Sequence, residues 1–276
     1  MSEPELEKDL SFAPCENVSP KTLDQEQITQ YNELGYISGL TAYEDKVAID
    51  HRKSFDHLLD EFKNNGKDAY SINGYHTKCE SIYNVVLNKN ILDAVEDIIG
   101  PDIIAWGTHY FTKPPHDKKS VPMHQDASYW PFTPSRTVTC WLAIDDATLE
   151  NSAMQFLPKT HDKGHLEWED TKEEAVLNQS ILNPGQYGEP FDNVLKAGQF
   201  SLHADMLAHG SKANTSAHRR CGLTIRYCPP SVIAIEKAWA NNAILCRGKD
   251  KDDNWVKNKA PVGENIFDKV LPIGGN

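Results

Sequence analysis

His124-Gln125-Asp126 sets an imidazole and a carboxylate two positions apart, so an extended backbone turns both toward one side, where a single cation could meet them. A second triplet of this kind, His203-Ala204-Asp205, lies further on, and such spacing arises by chance often enough that neither triplet alone marks a site. Two histidines and one carboxylate on one face of an octahedron can hold a reactive Fe(II) and leave positions open. A further histidine is therefore required downstream. His209 offers one within His209-Gly210-Ser211-Lys212-Ala213-Asn214, eleven residues before Arg220. The guanidinium of Arg220 is permanently cationic and planar, which suits bidentate capture of a carboxylate in a way that lysine cannot copy. Strand alternation turns the neighbouring Arg219 to the opposite face, where it is expected to be exposed.

The elements that must position these residues are legible in outline. Thr22 and Gln25 have capping-box spacing, and Leu23, Ile28, Tyr31 and Leu34 approximate a helical stripe that Gly35 ends. Phe55, Leu58, Leu59 and Phe62 mark a second helix over 47–62 with a stop at Gly66. Ile91, Val95, Ile98 and Ile99 mark a third, ended by Gly100-Pro101. Short β-like runs follow at 103–112, 137–144, 153–157, 200–203 and 223–227. A helical first third followed by spaced strands predicts an α+β fold with an antiparallel sandwich or barrel. Residues 1–20 are expected to form a flexible arm and 21–276 one domain. The polar stretch 161–198 reads as an insertion over the site, of a type used as a lid, and the charged stretch 247–260 as solvated chain.

Composition narrows the function classes. A formal charge of −12 disfavours a nucleic-acid surface, which needs clustered Lys and Arg, and leaves a small-molecule ligand as the better fit. No apolar stretch approaches the roughly 18 residues of a membrane span, and the acidic start MSEPELEKDL is unlike a signal peptide, so a cytoplasmic protein without a membrane partner is expected. The six cysteines form no C-x-x-C pair and read as reduced thiols. Nothing in the sequence sets an oligomeric state.

Several segments then match one pattern together. Lys113-Pro114-Pro115, His124-Gln125-Asp126, the aromatic turn Tyr129-Trp130-Pro131-Phe132, the run containing Trp141, and His209-Gly210-Ser211 followed by Asn214 and Arg220 resemble the phytanoyl-CoA dioxygenase (PhyH-like) family of Fe(II)/2-oxoglutarate oxygenases, over roughly residues 22–232. The resemblance implies a double-stranded β-helix (jelly-roll) core flanked by N-terminal helices. It implies that His124, Asp126 and His209 ligate Fe(II), that Arg220 pairs with the distal carboxylate of the cosubstrate 2-oxoglutarate, assisted by Ser211, and that Lys113, Gln125 and Trp141 line the cosubstrate pocket. His203 is then a packed or supporting histidine. His109 is a candidate for substrate contact, and His116, His161, His165 and His218 are expected at the surface or pocket edge. Tyr129, Trp130 and Phe132 are expected more in the core than around a cofactor.

With O2 as co-reactant, the resemblance implies hydroxylation of a C–H bond coupled to decarboxylation of 2-oxoglutarate. Asp126 disfavours a halogenase, whose iron needs a small residue there to admit chloride. A zinc hydrolase lacks its general base, and a non-catalytic metal-binding or sensing domain is the remaining rival. The substrate expected is a small polar metabolite, such as 2-aminoethylphosphonate hydroxylated at the carbon next to phosphorus in phosphonate catabolism. The alternative is another amino acid or amine. Arg136, Arg226 and His109 are candidate partners for a phosphonate.

Overall fold

The computed structural model of the chain describes residues 7–68, 72–171, 175–268 and 270. Four helices precede most of the strands: α1 (Gln25–Leu34), α2 (Asp45–Asn64), α3 (Glu80–Val86) and α4 (Lys89–Ile99). The capping box of α1 sits two residues later than its expected place. The Asp24 carboxylate accepts from the Gln27 backbone N–H at 2.8 Å and the Gln27 side chain accepts from the Asp24 N–H at 2.9 Å. Thr22 is not the cap; its N–H and those of Lys21 and Leu23 donate to the buried carboxylate of Asp97 on α4. The predicted stops hold. Gly35 ends α1 at φ 87°, a left-handed position that a side chain would strain, and Gly100 caps α4.

The strands are β1 (Tyr36–Thr41), β2 (Ile103–Lys113), β3 (Val121–His124), β4 (Phe132–Thr133), β5 (Val138–Ala143), β6 (Met154–Phe156), β7 (Trp168–Asp170), β8 (Gln179–Ile181), β9 (Phe191–Asn193), β10 (Gln199–Ala204), β11 (His209–Ser211), β12 (Arg220–Cys228), β13 (Ile233–Ala234) and β14 (Ile244–Arg247). A six-stranded antiparallel sheet runs β1-β10-β5-β12-β2-β14, and a four-stranded antiparallel sheet runs β3-β11-β6-β9. The α+β class is as expected. Sequence reasoning passed over β1, α3 and most of the two- to four-residue strands, which are too short for a periodicity to register.

Both faces of the large sheet are covered, by different chemistry. Along β12, Cys221, Leu223, Ile225 and Tyr227 join the main core with Ile28 of α1, Phe55 of α2 and Val95 of α4. The alternate residues Arg220, Thr224 and Arg226 face a cavity of about 830 Å³ that residues of both sheets line. Strand β5 divides likewise, with Val138, Cys140 and Leu142 in the helix-side core and Thr139 and Trp141 on the cavity.

The remaining segments fit less closely to expectation. Residues 7–20 hold no helix or strand but lie against the body: Cys15 is buried and hydrogen-bonded to Asn32, and Asp9 donates its N–H to Thr133. Residues 1–6 of the expected arm lie outside the described residues. The 161–198 stretch contains the β7–β8 hairpin and β9, and Ala175, Val176 and Leu177 border the cavity, with residues 172–174 outside the description. The 247–260 stretch is not simply solvated. Trp255 is buried in a satellite core with Trp106, Trp130 and Phe132, and its indole N–H donates to the Val232 carbonyl at 3.0 Å. No described helix is long and apolar enough to cross a membrane, and none of the six cysteines is in a disulfide.

Candidate active site

Two short strands bring the key histidines together. In the β3–β11 pairing, His124 and His209 are register partners, so residues far apart in sequence become cross-strand neighbours. Gly210 permits this approach, since a Cβ there would stand 2.6 Å from the Val121 carbonyl oxygen. Asp126 opens the single 3-10 turn that follows β3, and its Oδ1 lies 3.5 Å from His124 Nε2 and 3.9 Å from His209 Nε2. One donor atom from each of the three falls within 4.8 Å of the others, and all three residues are buried.

The ring orientations are fixed from behind. His124 Nδ1 lies 2.9 Å from the Pro122 carbonyl and His209 Nδ1 lies 2.9 Å from the Leu207 carbonyl. A carbonyl only accepts, so each Nδ1 carries a proton and each Nε2 is the nitrogen that faces Asp126. Burial, with His124 adding to it, pushes the His209 imidazolium down to about 4, so this ring is neutral and available as a ligand at neutral pH. Burial disfavours the charge on Asp126, yet His209 and His124 beside it hold the carboxyl below the usual range. Two imidazoles and one carboxylate on one side of an open cavity fit Fe(II) with positions left for other ligands.

A cationic end adjoins this cluster. Arg220 and Lys113 are register partners on β12 and β2, both buried, and Arg220 Nη2 lies 3.3 Å from the Ser211 hydroxyl. Burial and then the Arg220 charge lower the Lys113 ammonium to about 8. The Trp141 ring centroid is 5.6 Å from the Arg220 guanidinium carbon. That indole lies across Gly222, where a Cβ would come within 2.1 Å of it, so the glycine makes room for the tryptophan. An anion entering here would meet a planar fork, an ammonium and a hydroxyl against an aromatic wall.

Gln125 is not brought to this cavity. Its amide donates to the carbonyls of Gly164 and Met206 at 2.9 and 2.8 Å and accepts from Leu166 N–H at 2.8 Å, so it ties loops together behind the site. Arg219 is not exposed as expected. It is partly buried and forks onto Asp145 at 2.7 and 3.0 Å while reaching Asp56. The opposite orientation of the two arginines holds nonetheless.

The other histidines also separate. His203 lines the cavity 4.7 Å from the His209 ring, outside the cluster of possible metal donors. Asp205 turns away from that cavity, and accepts from the Ser135 hydroxyl at 2.6 Å and the Thr137 N–H at 2.9 Å. His109 borders the cavity, while His116, His165 and His218 are exposed. His161 is buried, not peripheral: its ring fills the space over Gly35 and meets the Asn32 carbonyl at 3.0 Å. Arg136 is exposed and away from the cavity, whereas Arg226 is buried and faces it beside Tyr129 and Trp130. Trp239 borders the cavity too, from a C-terminal stretch with no periodicity to reveal it. Thr224 could have been found, because it shares the strand face of Arg220.

Comparison with known proteins bears on the same residues. The profile of the phytanoyl-CoA dioxygenase (PhyH) family matches residues 20–222, which include all of the cluster and the cationic end. The chain is 32% identical over 191 residues to the peroxisomal phytanoyl-CoA dioxygenase of Homo sapiens, covering 66% of this chain and 50% of that protein. It is 28% identical over 157 residues to a probable alpha-ketoglutarate-dependent hypophosphite dioxygenase of Stutzerimonas stutzeri, covering 55% and 54%. The chain thus spans about half the length of these relatives. Among solved structures, a non-heme monooxygenase, ThoJ, superposes with a TM-score of 0.74 at 25% identity, covering 87% of this chain and 89% of that one.

Proposed function

The chain belongs to the phytanoyl-CoA dioxygenase family, and from that premise we propose that it is an Fe(II)- and 2-oxoglutarate-dependent dioxygenase that hydroxylates a small polar molecule. The observation that carries the reading is the buried His124, Asp126 and His209 cluster opening onto the cavity that also holds Arg220. We read the two sheets as a double-stranded β-helix within a single domain over residues 21–276. His124, Asp126 and His209 would hold the iron through two Nε2 atoms and one carboxylate oxygen. Bound there with 2-oxoglutarate, iron supplies the chemistry by which O2 converts the cosubstrate to succinate and CO2 and puts its second oxygen atom into a substrate C–H bond. The chain's own residues do the positioning. Arg220 pairs with the distal carboxylate of 2-oxoglutarate, Ser211 and Lys113 donate to that carboxylate, and Trp141 walls the cosubstrate from the substrate space. The buried walls exclude water from the reacting atoms.

For the substrate we propose 2-aminoethylphosphonate, oxidised at the carbon next to phosphorus, with another small amino acid or amine as the alternative. The cavity volume is in the range of small-molecule sites, and a relative described as acting on hypophosphite makes a phosphorus oxyacid plausible chemistry for this family. Succinate release measured across aminophosphonates, amino acids and acyl-CoA esters tests this. Substrate-dependent succinate with an aminophosphonate or amine is expected, and turnover with acyl-CoA esters alone would contradict it. Metal binding without oxygen uptake on any of these would favour a non-catalytic domain.

A further inference from the structure

Arg226, one of the candidate phosphonate partners in the sequence, is a buried cation that the roles assigned above leave unused. It lies six positions after Arg220 on β12, on the same strand face and about 20 Å further along it. The residue is 4% exposed, and its Nε and Nη1 meet no hydrogen-bond acceptor. Its guanidinium carbon is 5.1 Å from the Trp130 ring centroid and 5.6 Å from that of Trp106. These rings steady a planar cation and keep it dry, but an aromatic face does not replace hydrogen bonds to an oxyanion. A buried guanidinium whose N–H groups lack acceptors is costly to keep unless something else supplies them.

The site around it indicates what that is. Arg226 lines the same cavity as the cluster, and it shares one cross-strand row with Thr139 and His203, whose ring centroid is 4.7 Å from that of His209. We infer that Arg226 is the specificity-determining anchor for a compact oxyanion on the substrate, a phosphonate or carboxylate, which its guanidinium meets from the cavity wall beside the metal ligands. The two arginines of β12 then divide the labour, one binding the cosubstrate's carboxylate and the other the substrate's anion. Alternation along one strand aims both into one cavity. The inference rests on the proposed reaction only in calling the bound molecule a substrate.

The test is calorimetric titration of methylphosphonate, with its neutral dimethyl ester as control, into protein held anaerobically with saturating Fe(II) and 2-oxoglutarate, so that Arg220 is occupied. One methylphosphonate per chain and no ester binding are expected. Arg226→Lys should weaken binding roughly tenfold, since an ammonium offers a point charge in place of a fork, and Arg226→Gln should abolish it. Equal affinity for wild type and Arg226→Gln would overturn the inference. If Arg226→Gln does not fold, the wild-type comparison decides, because equal binding of anion and ester, or of neither, also overturns it. Should the protein bind neither Fe(II) nor 2-oxoglutarate, the proposed reaction fails by itself. The same titration in the Arg220→Gln protein without cosubstrate then still decides the role of Arg226.

Discussion

A histidine binds a divalent cation only through a nitrogen without a proton, so the group behind the ring matters as much as the one in front. Here the carbonyls of Pro122 and Leu207 take the Nδ1 protons of His124 and His209. The same distinction between front and back separates the two arginines. Arg220 faces Ser211 and the cavity, while Arg219 forks onto Asp145 and Asp56. Arg220→Lys should therefore raise the KM for 2-oxoglutarate at least about tenfold. Arg219→Lys should leave that KM unchanged and lower stability by about 1 kcal/mol, a modest loss because the pair is partly solvated. Cosubstrate titrations and melting curves of the two variants check this, and equal effects on KM would refute it. Lys113 adds a pH dependence. Its ammonium, lowered to about 8 by burial and then by Arg220, is cationic below that pH and neutral above it. The kcat/KM for 2-oxoglutarate should fall as pH rises through about 8, and Lys113→Met should remove that limb and lower the plateau. Stability moves the other way. Between about 8 and 10.5 the unfolded chain still holds a proton that the folded one has lost, so this group's contribution to stability rises with pH.

At the scale of elements, the site hangs on strands of three and four residues. Strands β3 and β11 carry the two histidines, and their backbones come close enough that no side chain fits at Gly210. Gly210→Ala should push β11 off β3, costing roughly 1–3 kcal/mol and separating the two Nε2 atoms. Metal content should fall more than stability alone accounts for, which elemental analysis of the folded fraction would reveal. Full metal content in that variant would show that the pairing does not set the ligand geometry. Such strands could not be read from periodicity. β3 is Val121-Pro122-Met123-His124 and β11 only His209-Gly210-Ser211, so their partnership is a tertiary fact. Strand β12 was readable because its two faces differ chemically, Arg220, Gly222, Thr224 and Arg226 against Cys221, Leu223, Ile225 and Tyr227. Gln125 misled for the opposite reason. Sequence places it between two cluster residues, and only the folded loops show its amide filled by Gly164, Leu166 and Met206.

Over the whole molecule, one sheet separates two environments. Helices α1, α2 and α4 seal its apolar face, and the small sheet, the 175–177 segment and the C-terminal aromatics enclose the other. The helical third and its glycine stops were legible because amphipathic stripes and caps are local signals. The burial of His161 over Gly35 and of Trp255 under a charged stretch was not, since each depends on a partner distant in sequence. The central claim is that this architecture builds one iron site from His124, Asp126 and His209. Anaerobic titration of the metal-free protein with Fe(II), in the presence of 2-oxoglutarate, tests it most directly. One equivalent should bind per chain in the wild type and largely in His203→Ala, and none tightly in His124→Ala or His209→Ala. Retention of the iron in His209→Ala with its loss in His203→Ala would contradict the account.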